Sequence, residues 1–194
     1  MPRHRQTDTR DRIEQAAIRL FVDYGVSDTS VRDIARAVNL SEGALYRHFV
    51  SKDELVWSLF ERHYVDFAQE LRVVSAQEQS PRRKVSAMIQ QFCRSHDENP
   101  TLFRFLLFVQ HGQLAKLAPD ALTPVRVIRD VLAAAIGSGE IPAQDPELAT
   151  AILFGVVLEP VQFAAYGTLP DRMMPLCDRL VGAAWAAVTT VTTV

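Results

Sequence analysis

Between Ser30 and Lys52 the chain concentrates side chains suited to a polyanionic surface: Arg32, Tyr46-Arg47-His48 and Lys52, with Glu42-Gly43-Ala44 just ahead of the second group. A guanidinium at Arg47 can fork onto a guanine edge or onto a phosphate, or pair with Glu42 or another surface acid. The Tyr46 hydroxyl and the His48 ring N–H are phosphate donors. Gly43 and Ala44 are small enough for a close backbone approach to bases and for apolar contact with a thymine methyl. Lys52 falls in the first turn of a helix, where a cation opposes the helix dipole. That placement makes sense if an anion sits between the ammonium and the unpaired backbone N–H groups.

These side chains need rigid supports. The first expected helix runs from about Thr7 to Tyr24, with Ile13, Ala16, Ala17, Leu20 and Phe21 on its apolar face and Gly25 as a left-handed cap. Ser30 and Asp33 have capping-box spacing at the start of a second helix, whose inward residues are Val31, Ile34, Ala35 and Val38. Asn39-Leu40 forms a turn, and Ser41 caps a short third helix, Glu42 to His48. Leu45 and Phe49 hold that helix from behind. Ser51 with Glu54 is another capping box, opening a long fourth helix. Two short helices across a tight turn form a helix-turn-helix, a device that sets its second helix in the DNA major groove.

The run GVSDTSVRDIARAVNLSEGALYRHFVSKDEL, with the preceding AAIRLFVDYG, closely resembles the DNA-binding segment of TetR-family transcriptional repressors over roughly residues 9 to 57. The resemblance implies that Ser30 and Arg32 lie near the DNA backbone. It implies base or backbone contacts from Glu42, Gly43, Ala44, Tyr46 and Arg47, and phosphate contacts from His48 and Lys52. Glu42 departs mildly from the family pattern. An acid there repels phosphate, and it serves better by stabilising the helix N-terminus than by accepting from cytosine N4.

The rest of the chain is helical by periodicity, with almost no strand signal. The expected fold is all-α, about nine helices in all: a three-helix DNA-binding domain at 1–52, then a helical effector-binding and dimerisation domain at 53–194. Asp145-Pro146-Glu147 is a strong helix start. The helix it opens contains ATAILFGVVL, apolar on nearly every face, and the final helix, about Asp171 to Val188, repeats the pattern. Such helices need cover all round. Pairing them with a second copy of the chain provides it, which makes Leu153, Val157, Leu180 and Trp185 the expected dimer residues. Twofold symmetry then suits a palindromic DNA site.

TetR-like proteins bind a small molecule in the body. The expected pocket residues here are Tyr64, Phe67, Met88, Phe92, Arg104, Phe108, His111, Glu159, Phe163 and Tyr166. Glu159 beside Pro160 marks either a kinked cavity wall or the solvent end of the helix. The aromatic inventory suggests a hydrophobic effector.

Composition excludes several classes. Lys and Arg total 21 against 23 Asp and Glu, so binding to DNA must rest on placement of charge. Arg3, Arg5, Arg10 and Arg12 face only Asp8 and Asp11 in the first dozen residues, while the acidic excess lies in the body. The apolar run Ala151 to Leu158 is far short of the about 20 residues a bilayer span needs, and the polar N-terminus carries no secretion signal. Two distant cysteines, Cys93 and Cys177, imply no disulfide framework and suit a reducing cytoplasm. No catalytic or cofactor-binding motif is present, and Cys93 with His96 is too small a set for a metal site. The expected protein is therefore a cytoplasmic regulator without cofactor or enzyme activity. Its expected partners are double-stranded DNA, a second copy of itself and a small hydrophobic effector that releases it from its operator. An activator or constitutive DNA binder of the same fold, or a small-molecule-binding protein or enzyme with a vestigial helix-turn-helix, are the alternatives.

Overall fold

The computed structural model describes residues 3–190, with side chains from 9 to 190. Among the described residues there are nine α-helices and no strand. They are α1 (Arg3–Tyr24), α2 (Val31–Ala37), α3 (Glu42–Leu45), α4 (Lys52–Ala76), α5 (Pro81–Glu98), α6 (Pro100–Gln113), α7 (Pro124–Gly137), α8 (Pro146–Ala165) and α9 (Cys177–Thr189). Two 3₁₀ turns, Leu114–Lys116 and Met174–Leu176, precede the loop before α7 and the start of α9. The chain divides into two compact units: everything through His63 together with Pro100–Pro119, and Tyr64–Asn99 together with the chain from Asp120 onward. The first unit is thus larger than residues 1–52, because the start of α4 and all of α6 belong to it.

In the N-terminal unit, Ile13, Ala17, Ile34, Leu45, Phe49, Leu55, Leu59 and Phe60 are buried together. Phe21 stacks on Phe105 of α6 with ring centroids 6.0 Å apart, which seats α6 against α1. Gly25 has φ +87° and donates its N–H to the Phe21 carbonyl at 3.0 Å, the left-handed stop that ends α1. The Glu14 carboxylate is nearly buried and is gripped by Arg10 on its own helix and by Arg62 on α4. Burial alone would raise its pKa, but the hydrogen bonds and charges of Arg62 and Arg10 outweigh that and hold it below the ordinary 4.5.

The second unit is built from α5, α7, α8 and α9, with α8 packed on α7 and α9 and α5 packed on α7 and α9. Helices α5, α7 and α8 each open with a polar cap followed by proline: Ser80-Pro81, Thr123-Pro124 and Asp145-Pro146. The core contains Met88, Phe92, Ile128, Leu132, Leu153, Val157, Leu180 and Ala184. The Asp97 carboxylate accepts N–H bonds from Met173 at 2.6 Å and Met174 at 3.2 Å, pinning the 3₁₀ turn before α9 to the end of α5. Taken whole, the 20-residue α8 is long and apolar enough to cross a membrane by length and composition, unlike the shorter run Ala151 to Leu158; here one face of it is buried against α7 and α9.

That burial corrects one expectation. Leu153, Val157 and Leu180 face the interior of their own unit, so they are core positions rather than dimer residues; Trp185 is half-buried. The outward strip of α8 is formed instead by Leu148, Ala151, Gly155 and Phe163, and that of α9 by Gly182, Ala183 and Ala186. An all-apolar helix offers no periodicity from which the two faces can be told apart. The expected final helix is also interrupted: Pro175 lies in a 3₁₀ turn, and α9 proper begins at Cys177.

Candidate nucleic-acid interface

The helix-turn-helix is assembled from local capping. Ser30 Oγ accepts from Asp33 N at 3.1 Å while Asp33 Oδ2 accepts from Ser30 N at 3.1 Å, completing the capping box of α2. Those hydrogen bonds from Ser30 keep the Asp33 carboxyl below its ordinary value. Asn39 turns the chain at φ +58°, and the Leu40 N–H returns to the Ala35 carbonyl at 2.9 Å. Ser41 caps α3 through a 3.2 Å bond from Ala44 N. Arg12 of α1 donates to the Val38 carbonyl at 3.0 Å, fastening the turn from behind.

Helix α3 is shorter than its sequence pattern suggested. It covers Glu42–Leu45, and Tyr46 is its C-cap, so Arg47 and His48 belong to the turn that follows. Leu45 and Phe49 are both 2% exposed and serve as the buried anchors. Glu42, Gly43 and Arg47 are exposed, Tyr46 is half-exposed, and Ala44 and His48 are intermediate. A Cβ added at Gly43 would meet nothing within 4 Å, so this end of α3 is open to an approaching surface. Ser30 and Arg32 are exposed at the start of α2.

Arg32, Arg36, Asn39, Ser41 and Glu42 line an open cleft of about 510 Å³ between α2 and α3. Arg36 was not among the expected contact residues, although it stands one helical turn after Arg32, a spacing that puts both guanidiniums on one face of α2. Its guanidinium pairs with Asp33 at 3.5 Å on the surface.

Lys52 departs from expectation. Its Nζ donates to the carbonyls of Val26 at 2.7 Å, Ser27 at 3.4 Å and Thr29 at 2.9 Å. An ammonium has three donors, and all three close the α1–α2 loop here. The cation therefore neutralises carbonyl dipoles, which also explains how it tolerates the start of α4. Arg10 and Arg12 are likewise committed internally, Arg10 over the Phe49 ring at 5.0 Å and against Glu14 at 3.0 Å. The side chains of Arg3 and Arg5 lie outside the described residues.

Residues 13–59 match the model of the bacterial regulatory proteins of the tetR family. The chain is 31% identical to the HTH-type transcriptional regulator SrpR of Pseudomonas putida over 147 residues, covering 70% of this chain and 64% of that protein. Residues 13–59 thus carry the DNA-binding module of the tetR family, and the match to SrpR together with the shared fold supports a TetR-family regulator. Other curated regulators of this type match over shorter stretches, 26 to 30% of their own length. The whole fold is shared with a TetR family transcription regulator from Marinobacter aquaeolei VT8, at TM-score 0.79 and 22% identity over 97% of this chain and 100% of that one. It is also shared with the transcriptional regulator FadR from Bacillus subtilis, solved in complex with stearoyl-CoA, at TM-score 0.72 and 18% identity over 93% and 98% of the two chains. Each of these proteins is a transcriptional regulator by name, in keeping with a chain that lacks an enzyme's motifs.

The expected effector residues fall into separate groups in this chain. In the second unit, Tyr64, Met88 and Phe92 are buried, and the Phe67 and Phe92 rings lie 6.4 Å apart. Burial pushes the Tyr64 hydroxyl up to about 12, so it stays protonated. Glu159, Phe163 and Tyr166 are exposed near the end of α8 and do not join that cluster. Arg104, Phe108 and His111 belong to the N-terminal unit, where Phe108 is 61% exposed and borders an open groove of about 440 Å³ with Phe21, Val22, Val56 and Phe105. Among the described residues no group of three or more His, Cys, Asp or Glu is placed to hold a metal.

Proposed function

We propose that this TetR-family regulator is a homodimeric, cytoplasmic repressor that binds a palindromic DNA site and releases it when a small hydrophobic effector binds. The observation that carries DNA binding is the exposure of Gly43, Tyr46 and Arg47 over the buried pair Leu45 and Phe49. Rigid anchoring from behind fixes the register, and the open N-terminus of α3 admits base edges. In this reading Tyr46, Arg47 and His48 contact DNA directly. Ser30, Arg32 and Arg36 meet the flanking backbone, Glu42 stabilises the start of α3, and Lys52 shapes the loop that presents α2.

The outward strip of α8 and α9 is the proposed self-association surface. Its exposed Leu148, Ala151, Gly155, Gly182 and Ala183 permit close helix–helix approach and bury apolar area against an identical strip. The aromatic pair Phe67 and Phe92 beside Tyr64 is the proposed edge of the effector site, and the stearoyl-CoA carried by the FadR structure supports an apolar ligand for this fold. Effector binding acts by favouring one of two conformations, and its reach is limited by its differential affinity for them.

The test is selection of duplexes from a random pool by the full chain, with the mass of the complex measured in solution. An inverted repeat bound by two chains is expected, with half-sites about one helical turn apart. Recovery of no preferred sequence, or of a single half-site bound by one chain, would count against the reading.

A further inference from the structure

Helix α3 ends at Leu45, so Tyr46, Arg47 and His48 are held less by a helix of their own than by the two buried side chains that bracket them, Leu45 and Phe49. The backbone leads back to the same place: the His48 N–H donates to the Leu45 carbonyl at 2.8 Å, and the Phe49 N–H donates to it at 3.3 Å. Of the two side chains, Leu45 offers only apolar packing. Phe49 carries something more. The Arg10 guanidinium lies over its ring at 5.0 Å. Arg10 Nε donates to Glu14 Oε1 at 3.0 Å, and Arg62 of α4 closes on the same carboxylate with both terminal nitrogens, Nη1 to Oε1 at 3.2 Å and Nη2 to Oε2.

Glu14 is buried, whereas both arginines are partly exposed. Taking a carboxylate out of water carries a desolvation cost that an apolar side chain at position 14 would not. What the carboxylate supplies instead is a fixed geometry. It draws Arg10 inward across Phe49 and ties that arginine to α4. Without it, the long Arg10 side chain is free to turn to solvent, and the Phe49 ring loses one wall.

We infer that Glu14 is a positioning residue for sequence-specific DNA contact: with Arg10 and Arg62 it clasps Phe49 from behind and so fixes where Tyr46, Arg47 and His48 are presented. This rests on the DNA-contacting role proposed for those three residues. Glu14 itself touches no DNA; it acts through Arg10 and Phe49. The direction of the effect separates positioning from bulk charge. Replacing Glu14 by glutamine removes a negative charge and releases two guanidiniums, which by electrostatics alone strengthens binding to every duplex. Loss of the clasp instead weakens binding to the preferred duplex, where side chains must meet particular bases, and spares binding to unrelated duplexes.

The experiment compares full-length wild type with Glu14→Gln, Arg10→Gln and Arg62→Gln on two duplexes of equal length, the selected one and an unrelated one. A second arm places 4-fluorophenylalanine at position 49 and reads its fluorine resonance in each protein. All three variants are expected to bind the selected duplex about tenfold more weakly. Glu14→Gln should bind the unrelated duplex at least as well as the wild type does, and the fluorine resonance should move in every variant, Arg62→Gln included. An undiminished preference in Glu14→Gln, or a resonance that stays in place, would overturn the inference. A salt slope lower by about one in Arg10→Gln would put Arg10 on a phosphate and overturn it as well. Arg10 and Arg62 are partly exposed, so their variants carry the test if Glu14→Gln fails to fold. A wild type that prefers no duplex overturns the DNA-binding reading and this inference with it; a wild type that discriminates, alongside variants that discriminate equally well, overturns the inference alone.

Discussion

The Lys52 ammonium sits 2.7 Å from the Val26 carbonyl, joining the first residue of α4 to the loop that precedes α2. Phosphate-facing lysines and loop-closing lysines are alike in sequence but opposite in consequence. Here the second role accounts for all three donors, so Lys52→Ala leaves three carbonyls to water and loosens the segment Gly25–Ser30. The expected result is a loss of about 1–3 kcal/mol in urea unfolding, with the slope of DNA affinity against salt unchanged. A fall of the salt slope by about one would instead return Lys52 to a phosphate.

Arg47→Ala tests the presented surface directly. The side chain is exposed and makes no hydrogen bond or ion pair among the described residues, so its removal should leave the melting temperature within experimental error. DNA affinity should fall by the equivalent of about 1–3 kcal/mol, read by fluorescence anisotropy on the selected duplex. Sequence discrimination distinguishes the two contacts the guanidinium can make: relaxed preference at one base pair means guanine, uniform weakening means phosphate.

Local signals were readable from the residues alone and distant ones were not. Ser30 with Asp33, Ser41, Gly25 and Asp145-Pro146 act within a few positions, so their types and spacing suffice to place α2, α3, the end of α1 and the start of α8. The same holds for the buried Leu45 and Phe49 anchors behind the exposed side of α3. Lys52 bonds to carbonyls 23 to 26 residues earlier, and nothing near it in sequence announces them. The inward faces of α8 and α9 were hidden for a different reason. Leu153 and Ile152 are equally apolar, and only the neighbours α7 and α9 decide which is covered. Arg36 was overlooked although its spacing from Arg32 was visible.

Acid should weaken the protein through two carboxylates. Glu14 is held below its ordinary 4.5 by Arg62 and Arg10 despite burial, and Asp97 below its ordinary 3.8 by the Met173 and Met174 N–H groups, His96 and Arg172, again against burial. A carboxyl depressed in the folded state binds its proton more readily when unfolded. Its stabilising contribution is complete above the unfolded values near 4.5 and 3.8 and drains away as pH falls through the lower folded values. Urea midpoints measured from pH 7 downward should stay level to about pH 5 and then decline. Glu14→Gln should start lower at neutral pH and decline less steeply; an identical profile would remove Glu14 from the account.

The two faces of α8 make the final prediction a paired one. Ala151 lies on the exposed strip and Leu153 on the buried side, only two residues away. A charge at Ala151 meets water in a single chain but meets its own copy across a twofold interface, so Ala151→Glu should shift sedimentation to the monomer while leaving the helical signal and melting of that monomer intact. Leu153→Ala empties a core site 3% exposed and should cost about 2–5 kcal/mol of unfolding free energy. If the glutamate variant remains associated at low protein concentration, the outward strip is not the interface, and the exposed Phe163 and Tyr166 become the next residues to substitute.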